Sequence, residues 1–237
     1  AQKPVSVYAP AFELGKASPA TVYKDMPVYY EDGKGWPKND NRQYQYARTV
    51  YQGIVSSVNT VSVRTLDDIG YDYAYSFTKD KFGLSDMTDH YVTSSGRVKT
   101  DLGDSPMGMG ALTVGASIRD VSAAYATFPN GGIYREDRTF TKVYDSDGNL
   151  IIDNTQDSEQ ILGEKAVTYM NYCLDNVANS DAGNVDVYGK TGTTSDHKDR
   201  WFCGFTGYYT AAVWCGYDTP EEINLVGNYS NPAQRLW

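Results

Sequence analysis

The chain has 237 residues, a formal net charge of −9 and a hydrophobic share of 41%, which together predict a globular protein with an ordinary buried core. The acidic balance and the lack of any basic run argue against a nucleic-acid partner and against direct binding at an anionic membrane surface. No apolar run approaches the roughly 18 residues that a membrane-spanning helix needs.

Apolar residues at helical spacing predict four helices in the first third of the chain. These predicted helices span residues 3–14, 49–57, 60–69 and 71–82. Residues 24–48 are instead rich in Asp, Gly, Lys, Asn and Pro. They predict a long surface excursion that contains one short strand at residues 26–30.

The middle of the chain predicts a loop followed by two further helices. Residues 103–116 are rich in Gly and Met and predict a loop whose backbone passes close to other elements. Residues 118–128 carry apolar side chains at helical spacing and are terminated by Pro129-Asn130-Gly131-Gly132. Residues 164–179 predict the next helix.

Strand signals are concentrated in the second half of the chain. Asp147-Gly148-Asn149 is a strong turn signal for a β-hairpin. The predicted strands are residues 140–144 and 150–152 on either side of that turn, then 185–188, 201–208 and 209–217. Helices first and antiparallel strands last predict one domain of the α+β or mixed α/β class.

The three cysteines do not point to a metal site. Cys173, Cys203 and Cys215 form no Cys-x-x-Cys pair and no ligand spacing with the two histidines, His90 and His197. The odd count and the apolar surroundings favour buried free thiols, although Cys203 and Cys215 could lie on adjacent strands and form a disulfide.

Two short motifs and one isolated lysine carry the chemistry. Lys190-Thr191-Gly192 follows one predicted strand and precedes another, while Ser57-Val58-Asn59 lies far upstream and Lys3 stands near the start. Each motif alone is weak because it arises by chance in a chain of this size. In this order, together, they indicate acyl transfer through an active serine.

Such a reaction requires a nucleophile, a base, oxyanion donors and a substrate anchor. Lys3 and Lys190 are the candidate pair for proton transfer, since a nearby cation lowers the pKa of a lysine base. The Ser57 hydroxyl can relay a proton, and the Asn59 amide can bind a substrate amide. This pair can face one cleft only if the backbone between them is not a regular helix.

The Lys-Thr-Gly region supplies the remaining groups. Gly192 allows a substrate backbone to approach closely, which leaves the backbone amide of Thr193 as a candidate oxyanion donor. The hydroxyls of Thr191 and Thr193, beside the charge of Lys190, can hold a substrate carboxylate. This chemistry needs no metal and no cofactor.

Longer segments extend the match to a known family over almost the whole chain. They are Gln2-Lys3-Pro4, Trp36-Pro37-Lys38-Asn39, Ser56 to Arg64, Met109 to Ser117, Ala123 to Gly132, Gly189 to Thr194 and Asp199 to Thr206. On these residues the chain resembles the transpeptidase domain of a penicillin-binding protein, and it is most similar to the bifunctional class A peptidoglycan synthases.

The resemblance implies the penicillin-binding-protein transpeptidase or serine β-lactamase-like fold, an antiparallel five-stranded sheet flanked by helices. It implies a nucleophilic serine immediately before Ala1, so that residues 1–237 form a transpeptidase domain incomplete at both ends. It also implies that Lys3 is the general base, that Ser57 and Lys190 shuttle protons, and that Asn59, Thr191 and Thr193 bind substrate.

The function implied is that of a peptidoglycan DD-transpeptidase, which cross-links stem peptides and is acylated by β-lactams. Its location would be the outer face of the cytoplasmic membrane, with the anchor outside this sequence and with room for a glycosyltransferase domain in the full-length chain. Two alternatives stay open: a serine β-lactamase, and a penicillin-binding sensor or scaffold without turnover. No acidic residue suggests a deacylation base, and a silent binding module would not need two lysines.

Overall fold

The computed structural model describes residues 1–175, 185–224 and 231–237. In these ranges the α-helices are α1 Ala9–Glu13, α2 Val50–Val55, α3 Asn59–Ile69, α4 Tyr71–Ser76, α5 Ile118–Ala126, α6 Glu164–Leu174 and α7 Pro232–Leu236. π-Helical turns occur at Pro4–Tyr8, Phe77–Lys81 and Asp104–Met109, and a 3₁₀ turn at Ser195–His197.

The strands are short before residue 188 and longer after it. They are β1 Val22–Asp25, β2 Tyr29–Glu31, β3 Lys34–Trp36, β4 Tyr46–Thr49, β5 Tyr91–Val92, β6 Val98–Lys99, β7 Ile133–Arg135, β8 Lys142–Tyr144, β9 Leu150–Asp153, β10 Ser158–Gln160, β11 Tyr188–Thr193, β12 Asp199–Phe205 and β13 Thr210–Gly216.

The first helix runs through the core. Its π-helical turn continues directly into α1, and every residue from 3 to 12 is buried. A helix buried on all sides must be apolar all round, and the sequence from Pro4 to Phe12 meets that condition apart from Ser6 and the Tyr8 hydroxyl. The chain then leaves the helix at Gly15, whose φ of 67° is favourable for glycine alone.

A break in regular helix separates α2 from α3, as the sequence predicts. Thr49 and Gln52 form a capping box that starts α2. After α2 ends, Ser57 takes a left-handed φ of 55°, and Val58 is extended before α3 begins. This turn reverses the chain so that Ser57 and Asn59 both face the same cleft.

The main sheet has the order β11-β12-β13 and is antiparallel throughout. Helix α5 packs against β12 and β13, and α7 contacts the same two strands. Next to α7, the Trp237 ring lies 5.3 Å from the ring of Phe202 on β12. Three of the five strands implied by the family resemblance are therefore present in the described residues, with helices on both faces of the sheet.

An aromatic cluster joins the sheet to the helices. Phe128 is fully buried, and its ring lies 5.6 Å from Tyr125, 6.0 Å from Phe82 and 6.3 Å from Phe205. The pairs with Tyr125 and Phe82 are edge-to-face, an arrangement that adds to the free energy gained by burying the rings. The cluster fixes α5, and with it Tyr125, against β12.

Several predicted boundaries are wrong in detail. The Lys-Thr-Gly triplet does not lie between two strands: it forms the middle of β11, and the strand predicted at 185–188 starts only at Tyr188. Of the strand predicted at 26–30, only Tyr29 and Tyr30 lie in a strand, β2, which pairs with β3. Residues 26–28 instead connect β2 to β1, which pairs with β4. The loop predicted at 103–116 contains a π-helical turn.

The other predicted helices and strands are present, and β3 to β7 and β10 are short strands that the sequence did not predict. Strands β8 and β9 form the predicted hairpin, and β12 and β13 form the last one. The predicted helix 164–179 is present as α6, and residues 176–179 lie outside the described residues. All three cysteines are free, with Cys173 and Cys203 buried and Cys215 half-buried. Within the described ranges, no helix has the length and apolar character needed to cross a membrane.

Candidate active site

An open cleft of about 1310 Å³ lies between the edge of β11, the start of the first helix and the α2–α3 turn. All six side chains predicted from the sequence line it. They are Lys3, Ser57, Asn59, Lys190, Thr191 and Thr193. Residues that are up to 190 positions apart in the chain thus meet at one place.

Lys3 sits at the centre of this group. Its side chain is buried, and its Nζ donates to the Ser57 carbonyl at 2.8 Å and to the Asn59 side-chain oxygen at 2.5 Å. Burial, followed by the positive charge of Lys190, lowers the pKa of Lys3 to about 7, although Asp40 opposes the shift. A lysine with this pKa is half neutral near physiological pH and can accept a proton.

Lys190 provides the second buried cation. It lies on β11 opposite Cys203 and is 2% exposed. Burial lowers the pKa of Lys190 to about 8 and raises the pKa of the Cys203 thiol to about 12. Lys190 therefore carries its charge at neutral pH without a thiolate beside it.

The Ser57 backbone, as well as its side chain, takes part in the site. The left-handed turn aims the Ser57 carbonyl at Lys3, a contact that the sequence did not predict. Asn59, two residues on, accepts from the same amine and donates its Nδ2 to the Lys38 carbonyl at 2.6 Å. The Asn59 amide is therefore oriented, with its oxygen toward Lys3.

The start of the chain is held against β11. The Ala1 carbonyl accepts a hydrogen bond of 2.5 Å from the hydroxyl of the buried Tyr125, and a Cβ placed on Gly192 would clash with the Ala1 nitrogen. Gly192 is thus required for close approach of the first helix to the strand, rather than only for approach of a substrate.

The backbone N–H of Thr193 points away from β12, toward the outer edge of β11. Thr194 donates its backbone N–H to the Asp199 carbonyl of β12 at 3.3 Å. Successive N–H groups of a strand point in opposite directions, so the Thr193 N–H points to the free edge of β11. That edge lines the cleft, and the geometry suits a hydrogen-bond donor for a negative oxygen.

Two polar features of the site are not predicted from the sequence. Arg200 lies opposite Thr193 and donates to its hydroxyl at 3.1 Å. Asp25 and Asn39 form a buried network behind Asn59. The segment Trp36-Pro37-Lys38-Asn39 carries part of the family resemblance, and the folded chain brings it next to α3.

Comparison with known proteins identifies the family. The family model described as "Penicillin binding protein transpeptidase domain" matches residues 1–233. The chain therefore belongs to the penicillin-binding protein transpeptidase domains.

Its relatives and structural neighbours agree with this assignment and with the predicted fold class. The chain is 33% identical to "Penicillin-binding protein 1A" of Clostridium botulinum (strain Hall), over 99% of its own length and 28% of that protein. It is 30% identical to "Penicillin-binding protein 1F" of Bacillus subtilis (strain 168), over 99% of its length and 32% of that protein. The chain thus spans only about a third of these relatives or less.

Among solved structures, PonA1 from Mycobacterium tuberculosis in complex with penicillin V superimposes with a TM-score of 0.76 and 20% sequence identity. The match covers 95% of this chain and 62% of that one. Penicillin-binding protein A from M. tuberculosis, as an imipenem acyl-enzyme complex, gives a TM-score of 0.69 at 15% identity, covering 96% and 56%. The similarity to class A penicillin-binding proteins is confirmed, as is the α+β transpeptidase fold.

Proposed function

We propose that this chain is the catalytic domain of a peptidoglycan DD-transpeptidase, and that a serine immediately before Ala1 is its nucleophile. The observation that carries the proposal is the buried Lys3 amine, which has a lowered pKa and lies between Ser57 and Asn59. The position of Ala1 supports the choice of nucleophile, because a residue bonded to the Ala1 nitrogen would start beside Gly192 of β11.

The first half of the reaction forms an acyl-enzyme. Lys3 accepts the serine proton while the serine oxygen attacks the carbonyl of the penultimate D-alanine. The Thr193 N–H stabilises the oxygen that becomes negative. The C–N bond then breaks while the proton held by Lys3 passes to the leaving amine through the Ser57 hydroxyl and Lys190, so that D-alanine departs and Lys3 is neutral again.

The second half transfers the acyl group. The amine of a neighbouring stem peptide attacks the ester carbonyl and loses a proton to Lys3. The C–O bond to the serine then breaks, and Lys3 returns this proton to the serine oxygen. The hydroxyls of Thr191 and Thr193 and the charge of Lys190 bind the terminal carboxylate of the donor, and Asn59 orients its peptide amide. β-Lactams acylate the same serine, because the serine oxygen attacks their ring carbonyl in place of the peptide carbonyl.

The remaining assignments concern the whole protein. The relatives are about three times as long as this chain, which supports a transpeptidase domain incomplete at its ends, with a membrane anchor and a glycosyltransferase domain elsewhere in the full-length chain. The domain would then work on the outer face of the bacterial cytoplasmic membrane, where its substrates are the stem peptides of peptidoglycan.

Intact mass spectrometry with penicillin tests the proposal. The full-length protein should gain the mass of one penicillin, and peptide mapping should locate it on the serine before Ala1. With stem peptides, the protein should release D-alanine and form cross-linked dimers. Rapid release of hydrolysed penicillin would identify a β-lactamase instead, and an adduct without any cross-linking would identify a sensor.

The rate of acylation should depend on pH in a bell-shaped manner. Lys3 must be neutral to accept a proton, so the rate should fall roughly tenfold per unit as the pH drops below its pKa of about 7. Lys190 must be charged, so the rate should fall again above its pKa of about 8. Fluorescent-penicillin labelling from pH 5 to 10 measures this profile, and a flat rate between pH 5 and 7 would contradict the role of Lys3.

A further inference from the structure

We propose that Asn39 is a positioning residue for the acylation step, and that the buried carboxylate of Asp25 fixes its orientation. The proposal deepens the function proposed above and rests on it. The Asn39 amide is engaged by Asp25, by Gln43 and by the start of α3. Both act through Asn59, which binds Lys3.

Asp25 is a buried charge whose hydrogen bonds are satisfied from several elements. It is 1% exposed. Its Oδ1 accepts from Asn39 and from the Thr60 hydroxyl, each at 2.7 Å, and its Oδ2 accepts from the Gln45 N–H at 2.9 Å. The Arg48 guanidinium lies 3.6 Å from Oδ2. A carboxylate held in this way stays in one position.

The Asn39 amide has only one orientation that satisfies these neighbours. Its Nδ2 donates to Asp25 at 2.7 Å and to the Gln43 carbonyl at 2.9 Å. Its Oδ1 must then point the other way, where it accepts from the backbone N–H groups of Asn59 at 3.0 Å and Thr60 at 3.4 Å. A flipped amide would place an oxygen against the carboxylate.

These contacts replace a helix cap. Helix α3 has no side-chain cap from its own N-cap residue, Val58, and the first N–H groups of a helix need acceptors. Asn39 supplies one from a distant segment of the chain. The first residue of the helix is Asn59, so the group that caps α3 also fixes the backbone from which the Asn59 side chain extends.

The same segment fixes the Asn59 side chain. The backbone carbonyl of Lys38, next to Asn39, accepts a hydrogen bond from the Asn59 Nδ2. This contact turns the Asn59 side-chain oxygen toward the Lys3 amine. Backbone and side chain of Asn59 are both held by residues 38–39. A shift of this segment would move the acceptor of Lys3, and a misplacement of about 1 Å can slow a reaction about 100-fold.

The substitution Asn39→Asp tests the chain of contacts with almost no change in shape. It retains an acceptor for α3 but places a second carboxylate against Asp25, so the segment is pushed away. We expect penicillin acylation of the full-length protein to slow about 10- to 100-fold. Asn41→Asp is the matched control: Asn41 is exposed in the same excursion, and its acylation rate should stay within about twofold, as is usual for surface substitutions.

A double-mutant cycle separates positioning from general stability. In an Asn59→Ala background, Asn39→Asp should change acylation by less than about twofold, while the loss in Tm should be the same in both backgrounds. An equal slowing in both backgrounds, or no slowing in either, would overturn the proposal. A native protein that penicillin does not label would instead refute the proposed function.

A second pair of variants tests the same contacts if the Asn39→Asp protein folds poorly. Asp25→Asn removes the buried negative charge and should slow acylation by a smaller factor than Asn39→Asp, again only when Asn59 is present. In the combined variant Asp25→Asn/Asn39→Asp, one amide again faces one carboxylate. Recovery of acylation relative to Asn39→Asp is expected, and a further loss would count against the proposed pairing.

Discussion

Replacement of Lys3 by alanine is expected to slow penicillin acylation by about 100- to 10,000-fold, the range found for general acid–base catalysts. The substitution removes the amine that accepts the serine proton. The Ser57 carbonyl and the Asn59 side-chain oxygen each lose their hydrogen bond from that amine. Stopped-flow or gel-based labelling with a fluorescent penicillin measures the rate, and circular dichroism checks that the variant is folded.

The matched control for this variant is Lys16→Ala. Lys16 is exposed just beyond the end of α1, so the same chemical change is made outside the cleft. Its acylation rate should equal that of the native protein. If Lys3→Ala were labelled at the native rate, Lys3 could not be the base, and the assignment would pass to another group in the cleft.

Replacement of Lys190 by methionine is expected to slow acylation about 100- to 1,000-fold at pH 7, comparable to the loss of one oxyanion donor. Methionine fills the space of the buried stem but carries no charge, so the attraction for the substrate carboxylate is lost. The rising limb of the pH profile should also move. The charge of Lys190 lowers the pKa of Lys3, so without it that pKa rises and the rate increases only at higher pH.

Two comparisons make the Lys190 experiment decisive. Lys99→Met changes an exposed lysine on β6 and should alter neither the rate nor the pH profile. A Lys190→Met protein with a slower rate and an unshifted rising limb would show that Lys190 binds the carboxylate without influencing Lys3. An unchanged rate would exclude both roles.

Helices could be predicted well from the sequence because their signals are local. The buried helix at 3–14, the capped α2 and the glycine-terminated α4 region all follow from apolar spacing and end signals. The strands are harder to predict from the sequence. Lys190 and Gly192 are of residue types that are depleted in strands. They form part of β11 because β12 supplies a pairing partner along its whole length.

The candidate site also has a part that can be predicted from the sequence and a part that cannot. The six side chains lining the cleft were found because their order along the chain matches a family pattern. The Asp25–Asn39 network and the Tyr125 contact to Ala1 depend on pairs that are 14 to 124 residues apart. Nothing in the local sequence marks such pairs, since Asp and Asn are equally common in turns.

The buried thiol of Cys203 has a consequence for inhibitor chemistry. It lies directly across the strands from Lys190 and is fully buried. Nucleophilic attack by a cysteine requires its thiolate, and burial holds the pKa of Cys203 at about 12. This thiol therefore stays protonated at neutral pH, and electrophiles designed to capture cysteines should react with it only slowly.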